Sequence, residues 1–212
     1  MSVNSDELQD LRVLIQSFEL TDEIDIRVFC WGNSLYKAAS LYKLAFLTMQ
    51  SPPTFRLVWK SKVTPRIKFF AWLILLDRLN TKNMLARRNF NVQPNSLCVL
   101  CYDGKEETIH HLFFECCFAR RCWNKLRVNW VDDPDLHKKI VQSRRAANMS
   151  LFMEIFLVAA WGIWKLRNRL VFDVLQATFG RWLHNFKEEA SLLSNRIGES
   201  DRLLVRLWLD TL

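Results

Sequence analysis

Glycine and proline each occur only five times in the 212 residues. Both favour turns and irregular segments, so their scarcity disfavours a loop-rich or disordered chain. Long apolar runs are also lacking: the longest, at 151–164, contains Glu154 and is shorter than the about 20 residues that span a bilayer. The N-terminal residues lack the basic and then apolar pattern of a secretory signal. We therefore expect an intracellular protein, nuclear or cytoplasmic, that is neither membrane-bound nor secreted.

Motifs of common enzyme classes are missing too. No Tyr-x-Asp-Asp sequence occurs anywhere in the chain. The Asp, Glu and His residues show no spacing that suggests a general acid–base pair or a nuclease-type carboxylate cluster. We therefore expect no catalytic residues, no enzymatic activity and no small-molecule substrate.

Apolar residues make up half of the chain, with nine tryptophans and fifteen phenylalanines, which is ample for a core. Their spacing is helical over residues 64–80, 151–172 and 182–193, whereas residues 202–212 are ambiguous between helix and strand. Apolar residues at 26–31, followed by Gly32 and Asn33, instead suggest a short strand and a turn. The sequence thus predicts a mainly α fold with one short β-hairpin near residues 26–38.

The charge is distributed unevenly. Residues 1–26 contain seven acidic residues and one basic residue, a net charge of −6. The whole chain has a net charge of +8, so the remaining residues carry +14. Basic clusters lie at 56–68, 82–88, 120–127 and 138–145. Such a distribution favours a polyanionic partner for the body of the chain, although each cluster alone is also compatible with a solvated helix face.

Five of the six cysteines and two of the four histidines lie between residues 97 and 123. Cys98 and Cys101 form a C-x2-C pair, which presents two thiolates from one tight turn, as zinc sites require. The Asp103–Gly104 pair supplies a turn, after which a histidine and a cysteine can complete the site. Spacing alone does not identify the second pair of ligands. The histidine is either His110 or His111, and the cysteine is Cys116, Cys117 or Cys122.

A Cys3His site has all four tetrahedral positions filled by protein, whereas a catalytic zinc keeps one position open for water. The sequence therefore predicts one structural Zn²⁺ per chain. Residues His111 and Cys116 are five apart, which is not a same-face spacing on an α-helix. If they are the second pair of ligands, a break in the helix must lie between them.

The segment from Trp59 to Trp123 resembles the zinc-binding domain downstream of the reverse transcriptase in plant non-LTR (LINE-type) retrotransposons. The resemblance is carried by FRLVWKSKVTPRIKFFAWLILLDRLNTKNMLARR, CVLC and EETIHHLFFECCFARRCW, of which HLFFEC is the most specific. Weaker similarity extends over most of residues 26–190. Two departures occur: Cys117 replaces the proline that usually follows HLFFEC, and Val-Leu replaces the usual Pro-Leu before Cys101.

The resemblance implies a ligand set, Cys98, Cys101, His111 and Cys116, over the alternatives. It also implies three parts of the chain: an acidic N-terminal segment at 1–25, a zinc-binding domain at 26–130, and a helical C-terminal region at 131–212 packed on it. No catalytic motif accompanies them, so the chain resembles the C-terminal part of a retroelement separated from its catalytic domains.

The sequence thus predicts a noncatalytic zinc-stabilised module that binds RNA or DNA through basic helix faces. The alternatives are a protein-interaction scaffold and a retroelement remnant with no selected activity. Aromatic residues beside the basic clusters, such as Phe69 and Trp72, are expected in the core rather than as base-stacking surfaces. The candidate nucleic-acid-binding residues are Lys60, Lys62, Arg66, Lys68, Arg87, Arg88, Arg120, Arg121 and Lys125.

Overall fold

The computed structural model describes residues 5–16, 29–30, 35–47, 51–92, 95–173 and 176–212. These residues form two compact units, Met1–Gln50 and Ser51–Leu212. The first unit contains α1 (Ser5–Gln16) and α2 (Ala38–Ala45). The β-hairpin expected near residues 26–38 lies largely outside the described residues, and Ala38 itself begins a helix.

All regular elements in the described part of the second unit are helical, and its only β-type pairing there is an isolated antiparallel bridge between Leu97 and Glu106. Its elements, in chain order, are α3 (Pro53–Lys60), α4 (Pro65–Leu75), α5 (Lys82–Arg87), a π-helical turn (His111–Glu115), α6 (Cys117–Lys125), α7 (Leu136–Ala147), α8 (Phe152–Phe172), α9 (Phe179–Ser194) and α10 (Glu199–Asp210). The prediction of a mainly α fold is confirmed.

Local sequence explains where several helices begin and end. Proline occupies the first turn of α3 and of α4, where its missing N–H leaves no donor unsatisfied. Thr64 precedes α4 as expected, but its side chain forms no capping hydrogen bond, whereas the side chain of Thr81 accepts one from the Met84 N–H at the start of α5. Helix α4 ends before Asp77, which has a left-handed φ of 51°.

Helix α8 lies at the centre of the second unit, because nearly its whole N-terminal half is buried. Helices α4, α7 and α9 contact it. The apolar face predicted for α9 is confirmed, since Trp182, Phe186, Ala190 and Leu193 are all buried. Gly162 of α8 allows the close approach of α9: a Cβ at this position would lie 3.1 Å from Nε1 of Trp182. The ambiguous C-terminal segment is helical, as α10.

One hydrophobic cluster runs through the second unit from Val58 to Leu209, and it includes Cys98, Cys101 and Cys116. The cysteine-rich segment therefore packs into the same core as the tryptophan- and phenylalanine-rich helices around it. Within the described part of the chain, no helix combines the length and the apolar character needed to cross a bilayer.

Candidate metal centre

The first two cysteines of the candidate site lie on a short turn closed by backbone hydrogen bonds. The bridge between Leu97 and Glu106 closes this turn, and the Cys98 N–H donates to the Lys105 carbonyl over 2.9 Å. Gly104 has a left-handed φ of 64°, the backbone conformation that glycine adopts at low cost, in the turn that the Asp103–Gly104 pair predicts. The turn thereby directs both thiols into the protein, where Cys98 and Cys101 are buried.

The other two members of the site come from the π-helical turn. The Cys116 N–H donates to the carbonyl of His111, five residues earlier, over 2.7 Å. An α-helical turn would join residues four apart, so the wider turn accommodates the spacing of five and brings His111 and Cys116 together. Cys116 then leaves the helical conformation, with a ψ of 134°, and α6 begins at the next residue. This is the break that the spacing requires.

The four side chains of Cys98, Cys101, His111 and Cys116 converge in the core. All four residues are buried, and their ligand atoms lie within 4.8 Å of one another. The Sγ atoms of Cys98 and Cys116 are 3.9 Å apart, and Sγ of Cys101 is 3.2 Å from Nε2 of His111. Thiolates bound tetrahedrally to zinc at 2.3 Å have a separation of about 3.8 Å. The donor set and its spacing therefore fit Zn²⁺.

The alternative ligands are placed differently. Cys122 is buried but lies outside the four-residue cluster, and the ring of His110 packs beside Phe114, with centroids 6.0 Å apart. Cys117 is exposed, and its Sγ lies within 4.8 Å of Cys101 and Asp103 in a second, more open group. The structure thus brings together the residues implied by the family resemblance and leaves the competing three outside.

The thiols affect one another's ionisation in the metal-free protein. A hydrogen bond from the Cys98 thiol to Cys116 raises the pKa of Cys98 far above its ordinary value and lowers the pKa of Cys116 to about 5. Burial raises the pKa of Cys101 to about 11. Two of the three thiols must therefore lose protons when a metal binds at neutral pH, so we expect the apparent affinity for zinc to rise with pH.

The second ring nitrogen of His111 has an incomplete environment. Nδ1 is buried and has no hydrogen-bond partner among the described residues. The nearest carboxylate oxygen is Oε2 of Glu115, 3.9 Å away on the same π-helical turn. When Nε2 binds a metal, Nδ1 carries the proton, and a carboxylate acceptor would orient the ring and increase its basicity. Glu115 is in position to take that role after a small rotation of its side chain.

A Glu115→Gln variant is therefore expected to bind zinc about tenfold more weakly, the lower end of the effect of removing an outer-shell partner. Competition with a chromophoric chelator measures the change. Glu106→Gln is the matched control, because Glu106 is an exposed glutamate on the same segment and is absent from the four-residue cluster. Equal zinc affinities in the two variants would show that Glu115 has no such role.

The candidate nucleic-acid-binding residues lie mostly on the surface. The exposed members are Lys60, Lys62, Arg66, Arg87, Arg88, Arg120 and Arg121, and the half-buried ones are Lys68 and Lys125. Some already have partners: Arg87 forms an ion pair with Asp77, and Nζ of Lys68 donates to the Trp59 carbonyl over 2.8 Å. The structure distributes the nine residues over α3, the α3–α4 connection, α4, α5, the residue after α5 and α6.

One expectation about the surface is wrong. Phe69, expected in the core, is 55% exposed, and Trp59 beside the same basic cluster is 52% exposed. The ring of Phe69 packs against Trp72, which is half-buried. Helix α4 turns its Ile67, Phe70 and Ile74 face to the core, so the adjacent Phe69 points away from it.

Sequence reasoning missed a buried ion pair next to the metal centre. Glu107 is fully buried and Arg167 is 3% exposed, and Nη2 of Arg167 lies 2.6 Å from Oε1 of Glu107. The same carboxylate accepts the Lys82 N–H over 2.9 Å. Glu107 thus joins α5 and α8 to the cysteine-rich segment. No local signal distinguishes it, because its partner lies 60 residues away along the chain.

Comparison with known proteins gives one match. No curated protein and no solved structure matches the chain. The model of the family described as zinc-binding in reverse transcriptase matches residues 36–123, a range that ends within α6 and contains all four residues of the candidate metal centre.

Proposed function

We propose that this chain is a noncatalytic module, stabilised by one structural zinc ion, that binds RNA or DNA through its basic helices. The observation that carries the binding proposal is the composition of five successive helices. Helices α3 to α7 contain no aspartate or glutamate. Their cations are Arg56, Lys60, Arg66, Lys68, Lys82, Arg87, Arg120, Arg121, Lys125, Lys138, Lys139, Arg144 and Arg145.

The proposed zinc site is structural because protein side chains occupy all four coordination positions. Three thiolates and one imidazole fill the tetrahedron, and all four side chains belong to buried residues, so no position remains for substrate or water. Three thiolates also make the bound metal a poor Lewis acid, since they donate strongly to it. The match to a zinc-binding family of reverse transcriptases supports the metal but says nothing of catalysis in this chain.

The surface formed by the α3–α4 junction has the chemistry that a nucleic acid strand requires. It carries Lys60, Lys62 and Arg66, which are exposed and whose side-chain charges form no ion pair with the described residues. The exposed ring of Trp59 lies in the same stretch of chain. Cations that contact phosphates release counterions, and aromatic rings stack on bases without sequence preference. We call this group of four residues the junction surface.

A triple variant of the junction surface, Lys60→Gln, Lys62→Gln and Arg66→Gln, tests the proposal. We expect weaker binding to single-stranded RNA or DNA and a shallower salt dependence, with the slope of log affinity against log salt smaller by about 2. Fluorescence anisotropy of a labelled oligonucleotide between low and moderate salt measures both quantities.

The matched control replaces three exposed arginines of α8 to α10, Arg169, Arg181 and Arg206, by glutamine. These helices also contain acidic residues, so the same loss of charge is expected to change the slope little. Undetectable binding by the wild-type chain at low salt, or an affinity independent of salt, would refute nucleic-acid binding.

A protein-interaction scaffold remains the second candidate, and α10 is the feature that favours it. Leu203, Leu204 and Leu207 are each about 60% exposed along this helix, while Val205 and Leu209 face the core. An apolar face of this kind can bind a protein partner. Loss of nucleic-acid binding in the salt titration would make this surface the first to test.

We also propose an origin and a compartment. The family match, together with the resemblance of HLFFEC and the flanking segments to plant LINE-type elements, supports descent from a retroelement. The six cysteines are all unpaired thiols, as expected in a reducing nuclear or cytoplasmic compartment.

A further inference from the structure

A cavity of about 520 Å³ lies beside the metal centre, between the π-helical turn, α6, α7 and the connection between α6 and α7. Its lining is rich in polar and charged side chains, and three of them are cationic: Lys105, Arg120 and Lys139. Lys105 and Arg120 are exposed at the surface, whereas Lys139 is only 6% exposed. The cavity is the right size for a ligand group larger than a water molecule, and it belongs to neither the metal site nor the junction surface.

Lys139 lines this cavity with a charged group that has no close partner among the described residues. Among the described residues its ammonium has no hydrogen-bond acceptor, and its one ion-pair partner is Oδ1 of Asp132, 3.9 Å away on a fully exposed side chain. A pair with so exposed a carboxylate is screened by water and contributes little. The ammonium also faces the Phe114 ring, with Nζ 5.6 Å from the ring centroid. Burial of a cation is costly without closer partners, so an anion in the cavity would stabilise this lysine.

The ring of Trp130 lines the same cavity. It is fixed by aromatic neighbours, with its centroid 4.7 Å from that of Phe114 and 5.3 Å from that of Trp123. A buried lysine, an accessible guanidinium and a rigid indole ring thus line one space.

We propose that this cavity binds a phosphate group, with Lys139 and Arg120 as donors. A phosphate group offers several acceptor oxygens at once, and charge-assisted hydrogen bonds from ammonium and guanidinium groups are the strong ones. The carboxylates of Glu115 and Asp132 also line the cavity, and both are exposed to solvent, which screens their repulsion of an anion. That the phosphate belongs to a polynucleotide backbone rests on the proposed function. That the cavity binds a phosphate group does not.

Lys105 is exposed and lines the same cavity as Arg120. A strand whose phosphate binds Lys139 and Arg120 would therefore meet a further cation, Lys105, at the surface of the cavity. This continuity favours a backbone phosphate over a free ion, because a free ion would use only the donors inside the cavity.

The experiment compares Lys139→Met with Lys138→Met in the zinc-loaded full chain. Methionine keeps an unbranched apolar side chain at this position and removes the charge, and Lys138 is the exposed neighbour on the same helix. The probes are a single-stranded RNA oligonucleotide and inorganic phosphate. Binding is measured by anisotropy and by the NMR resonance of the Trp130 indole N–H, assigned through a Trp130→Phe variant.

We expect Lys139→Met to weaken RNA binding by about tenfold, as for one charge-assisted contact, and to lower the salt slope by about 1. Lys138→Met removes a solvated surface cation and is expected to weaken RNA binding several-fold less than Lys139→Met. The Trp130 resonance should shift on RNA binding in the wild type and in Lys138→Met only. A shift with inorganic phosphate but no RNA binding would support the phosphate site with a free-ion source and refute the proposed function.

Two outcomes would overturn the phosphate site. One is a Trp130 resonance that neither probe moves. The other is RNA binding that Lys139→Met and Lys138→Met weaken equally, which would leave the nucleic-acid function standing on the surface cations alone.

Discussion

A Cys98→Ser variant is expected to lose its zinc and to unfold around the metal centre. Cys98 is one of four buried ligands, and the turn that carries it is closed by few backbone contacts, the Leu97–Glu106 bridge among them. Structural zinc in small domains contributes on the order of 10 kcal/mol of folding free energy. Elemental analysis should find one zinc per wild-type chain and none in the variant, and thermal unfolding should begin at a lower temperature.

The destabilisation caused by loss of zinc should extend beyond the turn, because Cys98, Cys101 and Cys116 belong to the same core cluster as the helices. Removal of zinc from the wild-type chain by a strong chelator should reproduce the change. Since the thiols must be deprotonated to bind the metal, chelation should succeed at lower chelator concentration as the pH falls.

Cys117→Ser is the matched control for the metal centre. Cys117 immediately follows a ligand in the chain, but it is exposed and lies outside the four-residue cluster. Its substitution removes the same chemical group and should leave the zinc content at one per chain. Zinc retained in Cys98→Ser, or a wild-type chain purified under reducing conditions without zinc, would contradict the assignment.

An Arg167→Met variant is expected to lose about 3–5 kcal/mol of unfolding free energy, the usual cost of leaving a buried charge without its partner. Glu107 is fully buried, and Arg167 contacts both of its carboxylate oxygens, with Nε 3.1 Å from each. Water cannot replace these contacts. Chemical denaturation monitored by tryptophan fluorescence measures the loss.

Two further variants test whether the loss of stability comes from leaving a buried charge without a partner. Arg87→Met breaks the exposed pair between Arg87 and Asp77, whose side chains are both more than half exposed, and should cost under about 1 kcal/mol. Adding Glu107→Gln to Arg167→Met should restore much of the stability, because the neutral amide still accepts the Lys82 N–H without a buried charge. If Arg167→Met cost no more than Arg87→Met, the buried pair would not hold α8 to the cysteine-rich segment.

The sequence could predict the features that depend on neighbouring residues. Apolar residues at helical spacing predicted α4, α8 and α9, because one face of each helix must be covered. The C-x2-C pair and the Asp103–Gly104 turn predicted two ligands on one tight loop, which the structure contains. The spacing of five between His111 and Cys116 required a departure from α-helical geometry, and the π-helical turn supplies it.

Other features were decided only by the tertiary structure. Burial of Lys139 and exposure of Phe69 could not be predicted, because each depends on which neighbouring helix covers that part of the surface. The Glu107–Arg167 pair joins residues distant in sequence, and neither residue has a local pattern that identifies its partner. The sequence by itself thus determined the longer helices and the first two cysteines of the metal centre, which follow from local spacing and residue chemistry. The cavity beside the metal centre and its buried cation arise only when distant segments pack together, because packing determines which charges lose their water.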